Sequence, residues 1–188
     1  MGSAIPMVAT STPSGWENPR STAAGRLWTL LRSSPVVTQF ISDNGTSSGS
    51  LTEIRRKYIQ DGVPITNSYV NVPRVDPSLN SITFNYCDQQ KAAFLDRTSF
   101  QDRGGLNAVG EALKRGMVLV LSIYDDRDAH MLWLNSQYPP GASQGLLGVA
   151  RGICATTSGV PDDVEAMFPT SSVTISNSRF GPIGSTVY

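Results

Sequence analysis

Apolar and polar positions follow a regular pattern only from Pro35 onward. The stretches VVTQFIS (36–42) and EIRRKYIQ (53–60) are rich in β-branched and aromatic residues, and the turn-forming sequence DNGTSSGS lies between them. These features predict a β-hairpin. Residues 63–86 contain several Pro, Asn and Ser residues, which favour a long irregular loop after the hairpin.

Two short helices and two further strands are predicted downstream. CDQQKAAFLD (87–96) and LNAVGEALKR (106–115) fit helices, and the second places Leu106, Val109 and Leu113 on one face. MVLVLSI (117–123) is apolar without alternation, which indicates a strand covered on both sides, whereas SVTISNSRF (172–180) alternates apolar with polar residues. The predicted fold class is mainly β with a few short helices.

Residues 1–34 differ from the rest of the chain in composition. They are rich in Ser, Thr, Pro, Ala and Gly and show little periodicity, which is typical of a disordered lead-in. The predicted organisation is a lead-in over residues 1–34 followed by one globular part over residues 35–188.

The charge balance argues against several classes of partner. Lys+Arg and Asp+Glu both number 15, and the sequence pI is about 6.6, so no basic patch is indicated for nucleic acid or an anionic membrane. No apolar stretch approaches the roughly 20 residues that span a bilayer, and the N-terminal sequence lacks the features of a secretory signal. Neither nucleic acid nor a membrane is an expected partner.

The sequence offers little for catalysis or metal binding. His130 is the only histidine, and no nucleophile elbow precedes it, which disfavours a Ser-His-Asp triad. Asp125, Asp126 and Asp128 resemble the start of a calcium loop, but the loop glycine and the closing glutamate are missing. The glutamates stand far from any helpful partner carboxylate in sequence. No catalytic residue, metal or cofactor is therefore predicted.

Three aromatic residues near these acids have two alternative roles. Trp133 lies between Leu132 and Leu134, so its ring either packs in a core or forms an exposed platform for a sugar. The same alternatives hold for Tyr124 and Tyr138. If this stretch is a strand, both leucines point away from the side that Trp133 occupies and can anchor it, which favours the platform.

Several separated motifs, in the same order, resemble the C-terminal part of the fungal cellulases of glycoside hydrolase family 7. They are GMVLVLSIYDDRDAHMLWLNSQYP, ARGICATTSGVP and VTISNSRFGPIGST. The similarity also includes VVTQFI, EIRRKYIQDG, the cysteine in NYCDQQKAAF and the RGGL that precedes the second helix, so it spans residues 35–188. The resemblance implies part of a concanavalin A-like antiparallel β-sandwich (jelly roll) whose cleft or tunnel holds a cellulose chain.

The resemblance also implies an activity and a set of sugar contacts. The implied enzyme is a secreted monomer that hydrolyses β-1,4-glucosidic bonds with retention. The long loop SQYPPGASQGLLGVARG resembles the loop of the cellobiohydrolases more than that of the endoglucanases. Trp133, Tyr138 and Arg151 match residues that contact the sugar on the product side. Asp125 and Asp126 match the family's paired aspartates, and Tyr124 stands where the family has a tryptophan, which implies a weaker subsite.

The catalytic segment of the family, E-x-D-x-x-E, does not occur in this sequence. Retaining hydrolysis needs two carboxyl groups roughly 5 to 5.5 Å apart, one as nucleophile and one as acid/base. The resemblance therefore leaves two interpretations. The chain is either an incomplete piece of a glucanase or a non-catalytic, glucan-binding or vestigial product.

A shifted reading frame explains the unusual lead-in. If the last base of each codon is joined to the first two bases of the next, Met7-Val8 and Trp16-Glu17 must each encode Gly, and Trp28-Thr29 must encode Asp. These residues fall where the family has them, and the degenerate positions permit the family segments C-D-P-D-G-C and F-Y-G. The same interpretation leaves Cys87 and Cys154 without the partners that the resemblance implies.

We predict that the coding DNA of residues 3–30, read in this shifted frame, encodes those segments in one uninterrupted stretch. The family segments depend on third-base choices that the present protein sequence leaves open, so the DNA sequence is an independent check. Other residues at most of the degenerate positions would refute the frameshift.

Overall fold

The computed structural model of the chain describes residues 3–12, 21–23, 26–28 and 34–186. The strands are β1 (Ser3–Thr12), β2 (Ser21–Ala23), β3 (Arg26–Trp28), β4 (Ser34–Ser42), β5 (Leu51–Gln60), β6 (Val63–Thr66), β7 (Ile82–Thr83), β8 (Ser172–Ser176) and β9 (Gly181–Pro182). The helices are α1 (Phe84–Phe94), α2 (Ser99–Asp102), α3 (Gly105–Arg115), α4 (Leu132–Asn135) and α5 (Pro161–Met167).

Most strands belong to one antiparallel sheet with the order β6-β5-β4-β1-β8, in which β7 also pairs with β5 and β9 with β1. The predicted hairpin is confirmed, because β4 and β5 pair along their lengths, with Val36 opposite Tyr58 and Phe40 opposite Ile54. β2 and β3 form a separate two-stranded sheet. The predicted class, mainly β with a few short helices, therefore describes the structure.

The first three strands lie within residues 1–34, where the composition predicts disorder. β1 pairs with β4 on one side and with β8 on the other, with Met7 opposite Val36 and Ala9 opposite Ile175. The exposed edge of a hairpin offers unpaired main-chain N–H and C=O groups. A further strand can pair with these groups through its own backbone, whichever side chains it carries. The remainder of residues 1–34, including Trp16, lies outside the described residues, and the frameshift stays a prediction.

Both predicted helices are present, but the first begins at Phe84 rather than Cys87. Thr83 caps it, because its hydroxyl accepts the backbone N–H of Tyr86 at 3.1 Å. The stretch 63–86 is consequently not one irregular loop, since it also holds β6, β7 and the start of α1. Cys87 on this helix and Cys154 are half-buried free thiols, and burial is the main cause that raises the pKa of Cys87.

The second helix, α3, packs directly on β5. Leu106 is fully buried, and a Cβ built on Gly110 would lie 2.9 Å from the Cβ of Leu51. Glycine at position 110 therefore permits an approach that any larger residue would prevent. This contact sets part of a small core, whose buried apolar members are Val37, Leu51, Ile65, Val75, Ala93 and Leu106.

The chain divides into two compact units. Unit 1 comprises Met1–Leu119 and Ser172–Tyr188, which hold all the strands and α1 to α3, and unit 2 comprises Val120–Ser171, which holds α4 and α5. The buried apolar side chains of unit 2 are Leu132 and Val149. No helix in the described ranges is long and apolar enough to cross a membrane.

The prediction of a covered strand over residues 117–123 is wrong. These residues belong to none of the described strands, and their apolar side chains are exposed, from 41% for Leu121 to 88% for Val118. A strand of this composition stays covered only where neighbouring strands pair with it and side chains pack on both faces. The described residues supply neither a paired strand nor packing on both faces for this segment. The strand predicted over residues 172–180 is confirmed as β8 over Ser172–Ser176 only, and all residues of β8 are exposed.

Candidate functional site

All five residues that the resemblance assigns to sugar binding lie in unit 2. The structure brings three of them together, because Arg151 contacts both Trp133 and Tyr138. Tyr124 and Asp125 are exposed, and within residues 34–186 no hydrogen bond or ring contact joins either of them to the other three. The candidate site is therefore built around Trp133, Tyr138 and Arg151.

Asp126 holds the indole of Trp133 at its polar edge. One carboxylate oxygen, Oδ1, accepts the backbone N–H groups of Asp128 and Ala129, both at 3.1 Å, which is the local bonding of an Asx-turn. The other oxygen, Oδ2, accepts the Nε1–H of Trp133 at 2.8 Å. A hydrogen bond at Nε1 lies in the plane of the ring, so it fixes the indole without covering either aromatic face.

These bonds also lower the pKa of Asp126 below its ordinary value of 3.8. The backbone N–H of Ala129 is the largest cause, and the Trp133 indole is the next. Each donor stabilises the charged carboxylate and not the neutral acid. The carboxylate is therefore ionised at neutral pH and remains the acceptor for the indole.

Trp133 lies in the short helix α4, so the strand geometry expected for Leu132 and Leu134 is wrong. Leu132 is 4% exposed and Leu134 is 57% exposed, which means that only Leu132 anchors the helix in the core. The backbone enters α4 through two left-handed residues, His130 (φ 49°) and Met131 (φ 57°). Trp133 itself is half-buried, so it is neither a core tryptophan nor a fully exposed one.

Arg151 connects the helix to the loop 139–148. Its Nη1 donates to the carbonyl of Trp133 at 3.1 Å, and its Nε donates to the carbonyl of Gly148 at 2.6 Å. The guanidinium carbon also lies 5.4 Å from the ring centroid of Tyr138, within the range of a cation–π contact. A guanidinium has five N–H donors, so Arg151 retains further donors at an exposed position.

Hydrogen bonds of Ser136 hold the backbone of this site in place. It is fully buried, and its hydroxyl donates to the carbonyl of Cys154 at 2.6 Å. Its carbonyl accepts the backbone N–H of Arg151 at 2.8 Å, and the N–H of Tyr138 donates to the carbonyl of Val149 at 3.0 Å. These antiparallel contacts close the base of the loop and set Tyr138 beside Arg151.

Sequence reasoning did not predict Ser136 at this site, and for Asp126 it predicted a place in the family's pair of aspartates but no contact with Trp133. The signal for Asp126 was available, because an Asp that begins a turn accepts N–H groups two and three residues later. Its hydrogen bond to Trp133, seven residues later in the chain, could not be predicted from the sequence. No sequence signal predicted the burial of Ser136, because that burial depends on loop segments that only the folded chain brings together.

The site combines aromatic faces with a cation and an ionised carboxylate that is already engaged. Such a surface suits a neutral ligand with many hydroxyl groups, whose apolar face stacks on a ring while its rim is hydrogen-bonded. In the described ranges, no group of three or more His, Cys, Asp or Glu side chains could hold a metal ion.

Comparison with known proteins gives one family and a set of solved structures. The family model described as glycosyl hydrolase family 7 matches residues 31–187. A crystal structure of a cellobiohydrolase of this family from Daphnia pulex is 47% identical with a TM-score of 0.78, over 84% of this chain and 35% of that one.

Two further structures show the same partial match. The cellobiohydrolase from Melanocarpus albomyces, complexed with cellotetraose, is 39% identical with a TM-score of 0.66, over 85% of this chain and 34% of that one. The native endocellulase EGI from Humicola insolens is 33% identical with a TM-score of 0.67, over 84% of this chain and 34% of that one. The chain thus spans about a third of the length of these relatives, and the expected fold class, part of their antiparallel β-sandwich, is confirmed.

Acidification is expected to release Trp133 from Asp126. Because the folded pKa of Asp126 is depressed below 3.8, its stabilising effect is complete above the unfolded pKa and is lost as the pH falls through the lower folded pKa. In a chain carrying Trp16→Phe and Trp28→Phe, the emission of Trp133 should therefore change only below about pH 4.

Two variants test this assignment. Asp126→Asn removes the titrating group and should abolish the acid transition in emission, whereas Asp128→Asn, in the same turn, should retain it. An acid transition that survives unchanged in Asp126→Asn would show that another group controls the indole.

Proposed function

Because the chain belongs to glycosyl hydrolase family 7, we propose that it is part of the catalytic domain of a secreted cellulase that hydrolyses β-1,4-glucosidic bonds with retention. The higher identity to the cellobiohydrolases, 47% and 39%, than to the endocellulase, 33%, favours cellobiohydrolase action. The ligand is a cellulose chain or a cello-oligosaccharide, and no cofactor takes part.

Within this function, we propose that Trp133, Tyr138 and Arg151 form one sugar-contact surface. The observation that carries this proposal is the position of Arg151, whose guanidinium is bonded to the Trp133 carbonyl and lies over the Tyr138 ring. In this proposal a glucose unit stacks on the indole and accepts hydrogen bonds from the remaining guanidinium donors and the phenol hydroxyl. Asp126 acts as a positioning residue, because it orients the indole without touching the sugar.

Tyr124 and Asp125 would form a second, weaker contact with the glucan. Both side chains are exposed, so a ligand can reach them without rearrangement of the fold. A phenol ring offers less stacking area than an indole, and the contribution of Tyr124 to binding is therefore smaller than that of Trp133.

The printed sequence favours a binding role for this chain taken by itself. It lacks the segment E-x-D-x-x-E, and retaining hydrolysis requires two carboxyl groups roughly 5 to 5.5 Å apart. The second candidate function is therefore that of a non-catalytic, glucan-binding or vestigial product. The two candidates differ in catalysis and agree on the contact surface.

The contact surface can be tested by titrating the purified chain with cellotetraose in a calorimeter. Trp133→Ala should weaken binding by about fivefold, because the loss of a stacked ring removes roughly 1 kcal/mol. The control is Tyr69→Ala, which removes an exposed aromatic side chain of unit 1 and should leave binding unchanged. Equal affinity of Trp133→Ala and the unsubstituted chain would refute the assignment.

A parallel assay with an aryl cellobioside separates the two candidate functions. No release of the aryl group is expected from this chain, because its sequence does not contain the segment E-x-D-x-x-E. Release at a rate that Trp133→Ala reduces would instead assign hydrolysis to the chain itself.

A further inference from the structure

The turn between β4 and β5 contains the tripeptide Asn44-Gly45-Thr46. An asparagine that is followed two residues later by Ser or Thr, with any residue except Pro between them, is the acceptor sequence for N-glycosylation. Asn44 is the only asparagine of this sequence that meets the rule. The tripeptide lies in unit 1, whereas the sugar-contact surface lies in unit 2, so the proposed function does not use it.

The turn is exposed to solvent and held at its base. All residues from 43 to 48 are exposed. The backbone N–H of Asp43 donates to the carbonyl of Ser50 at 3.0 Å, and Nζ of Lys114 in α3 donates to the carbonyl of Ser48 at 3.3 Å. An enzyme can therefore reach Asn44 without opening the hairpin.

The oxygen of the Asn44 side chain is engaged within the turn. Oδ1 accepts the backbone N–H of Thr46 at 2.9 Å and the Thr46 hydroxyl at 2.8 Å, which is the bonding of an Asx-turn. A backbone N–H can only donate, so the atom that it contacts is the amide oxygen and not the nitrogen. The nitrogen, Nδ2, is the atom left over, and within residues 34–186 no hydrogen bond engages it.

The Thr46 hydroxyl acts on the same amide. It donates its proton to Oδ1 of Asn44 and accepts the backbone N–H of Ser48 at 3.3 Å and the Ser48 hydroxyl at 2.8 Å. One donated and two accepted bonds are the full capacity of a hydroxyl. Its bond to Oδ1 draws electron density from the amide, which makes the protons on Nδ2 more acidic and favours the loss of one of them.

We propose that Asn44 is an N-glycosylation site. The proposal rests on the secretion that the proposed function includes, because this modification is made on secreted proteins. Nδ2 attacks the anomeric carbon of an oligosaccharide that is carried on a polyprenyl diphosphate. A carbon–nitrogen bond forms, the bond from that carbon to the phosphate oxygen breaks, and the diphosphate leaves with the electron pair. Nδ2 gives one proton to a base of the transferring enzyme.

The folded turn can carry the glycan without rearrangement. Attachment at Nδ2 leaves Oδ1 able to accept the same two bonds from Thr46, so the turn and the modification use different atoms of one amide. Oδ1 also lies over Gly49, where a Cβ would be 2.2 Å away, and this contact is on the oxygen and not on the nitrogen. The glycan would cover the turn with a bulky, solubilising group.

Secretion from a yeast tests the site. The full chain, preceded by a cleavable secretion signal, should migrate in a denaturing gel as a larger species that peptide N-glycosidase returns to the unmodified size. Asn44→Gln and Thr46→Val should each abolish this shift, whereas Thr46→Ser retains the hydroxyl and should keep it. The control is Asn71→Gln, which changes an exposed asparagine outside the rule and should keep the shift.

Cells and medium are analysed together, so that a variant that folds poorly is still seen, and removal of the signal verifies entry into the secretory route. Absence of the shift in the unsubstituted chain, or a shift that persists in Asn44→Gln, would overturn the proposal. Failure of the site is distinguishable from failure of the proposed function, because the added signal supplies the secretion and the cellotetraose titration tests the sugar-contact surface separately.

Discussion

The main-chain pairing of β4 with β5 is the interaction on which unit 1 depends. β4 carries β1 on its other side, and β5 carries β6 and β7, so every long strand of the sheet is attached through this hairpin. The same strand supplies Leu51, against which Gly110 of α3 packs. Loss of the hairpin would remove the backbone partners of the sheet and the surface on which α3 buries Leu106.

The same requirement for partners explains why residues 117–123 are uncovered. Their sequence is that of a central strand, but the described part of the chain supplies no strand to pair with them, and the chain spans about a third of the length of its solved relatives. Unit 2 is different, because its contacts are local. Asp126 reaches Trp133 across seven residues, and Arg151 reaches back 18 residues to the same tryptophan. The proposed sugar-contact surface can therefore form from contacts within unit 2 alone.

Local patterns predicted the elements whose partners are close in sequence. The hairpin followed from two β-rich stretches around a turn, and α3 followed from the spacing of Leu106, Val109 and Leu113. The exposure of Val118 and its neighbours could not be predicted, because an apolar stretch carries no information about whether distant strands are present to cover it. Trp133 was placed in a strand and lies in a short helix, since a four-residue element has too few positions to show a period.

The site was predictable to the extent that the family motifs carried it. Trp133, Tyr138 and Arg151 followed from the resemblance, and the structure adds the contacts by which Arg151 joins the other two. The motif includes Asp126 but does not show its hydrogen-bond partner. Asp126 lies beside Asp125 in sequence, yet only Asp126 turns its carboxylate toward the indole, because the backbone N–H groups of the following turn hold it there.

Hydrogen exchange followed by mass spectrometry tests most directly the central claim that the hairpin is paired and residues 117–123 are not. The account predicts slow exchange of the amides of β4 and β5 and exchange of residues 117–123 at nearly the rate of an unstructured peptide. Protection of residues 117–123 equal to that of β4 and β5 would contradict it.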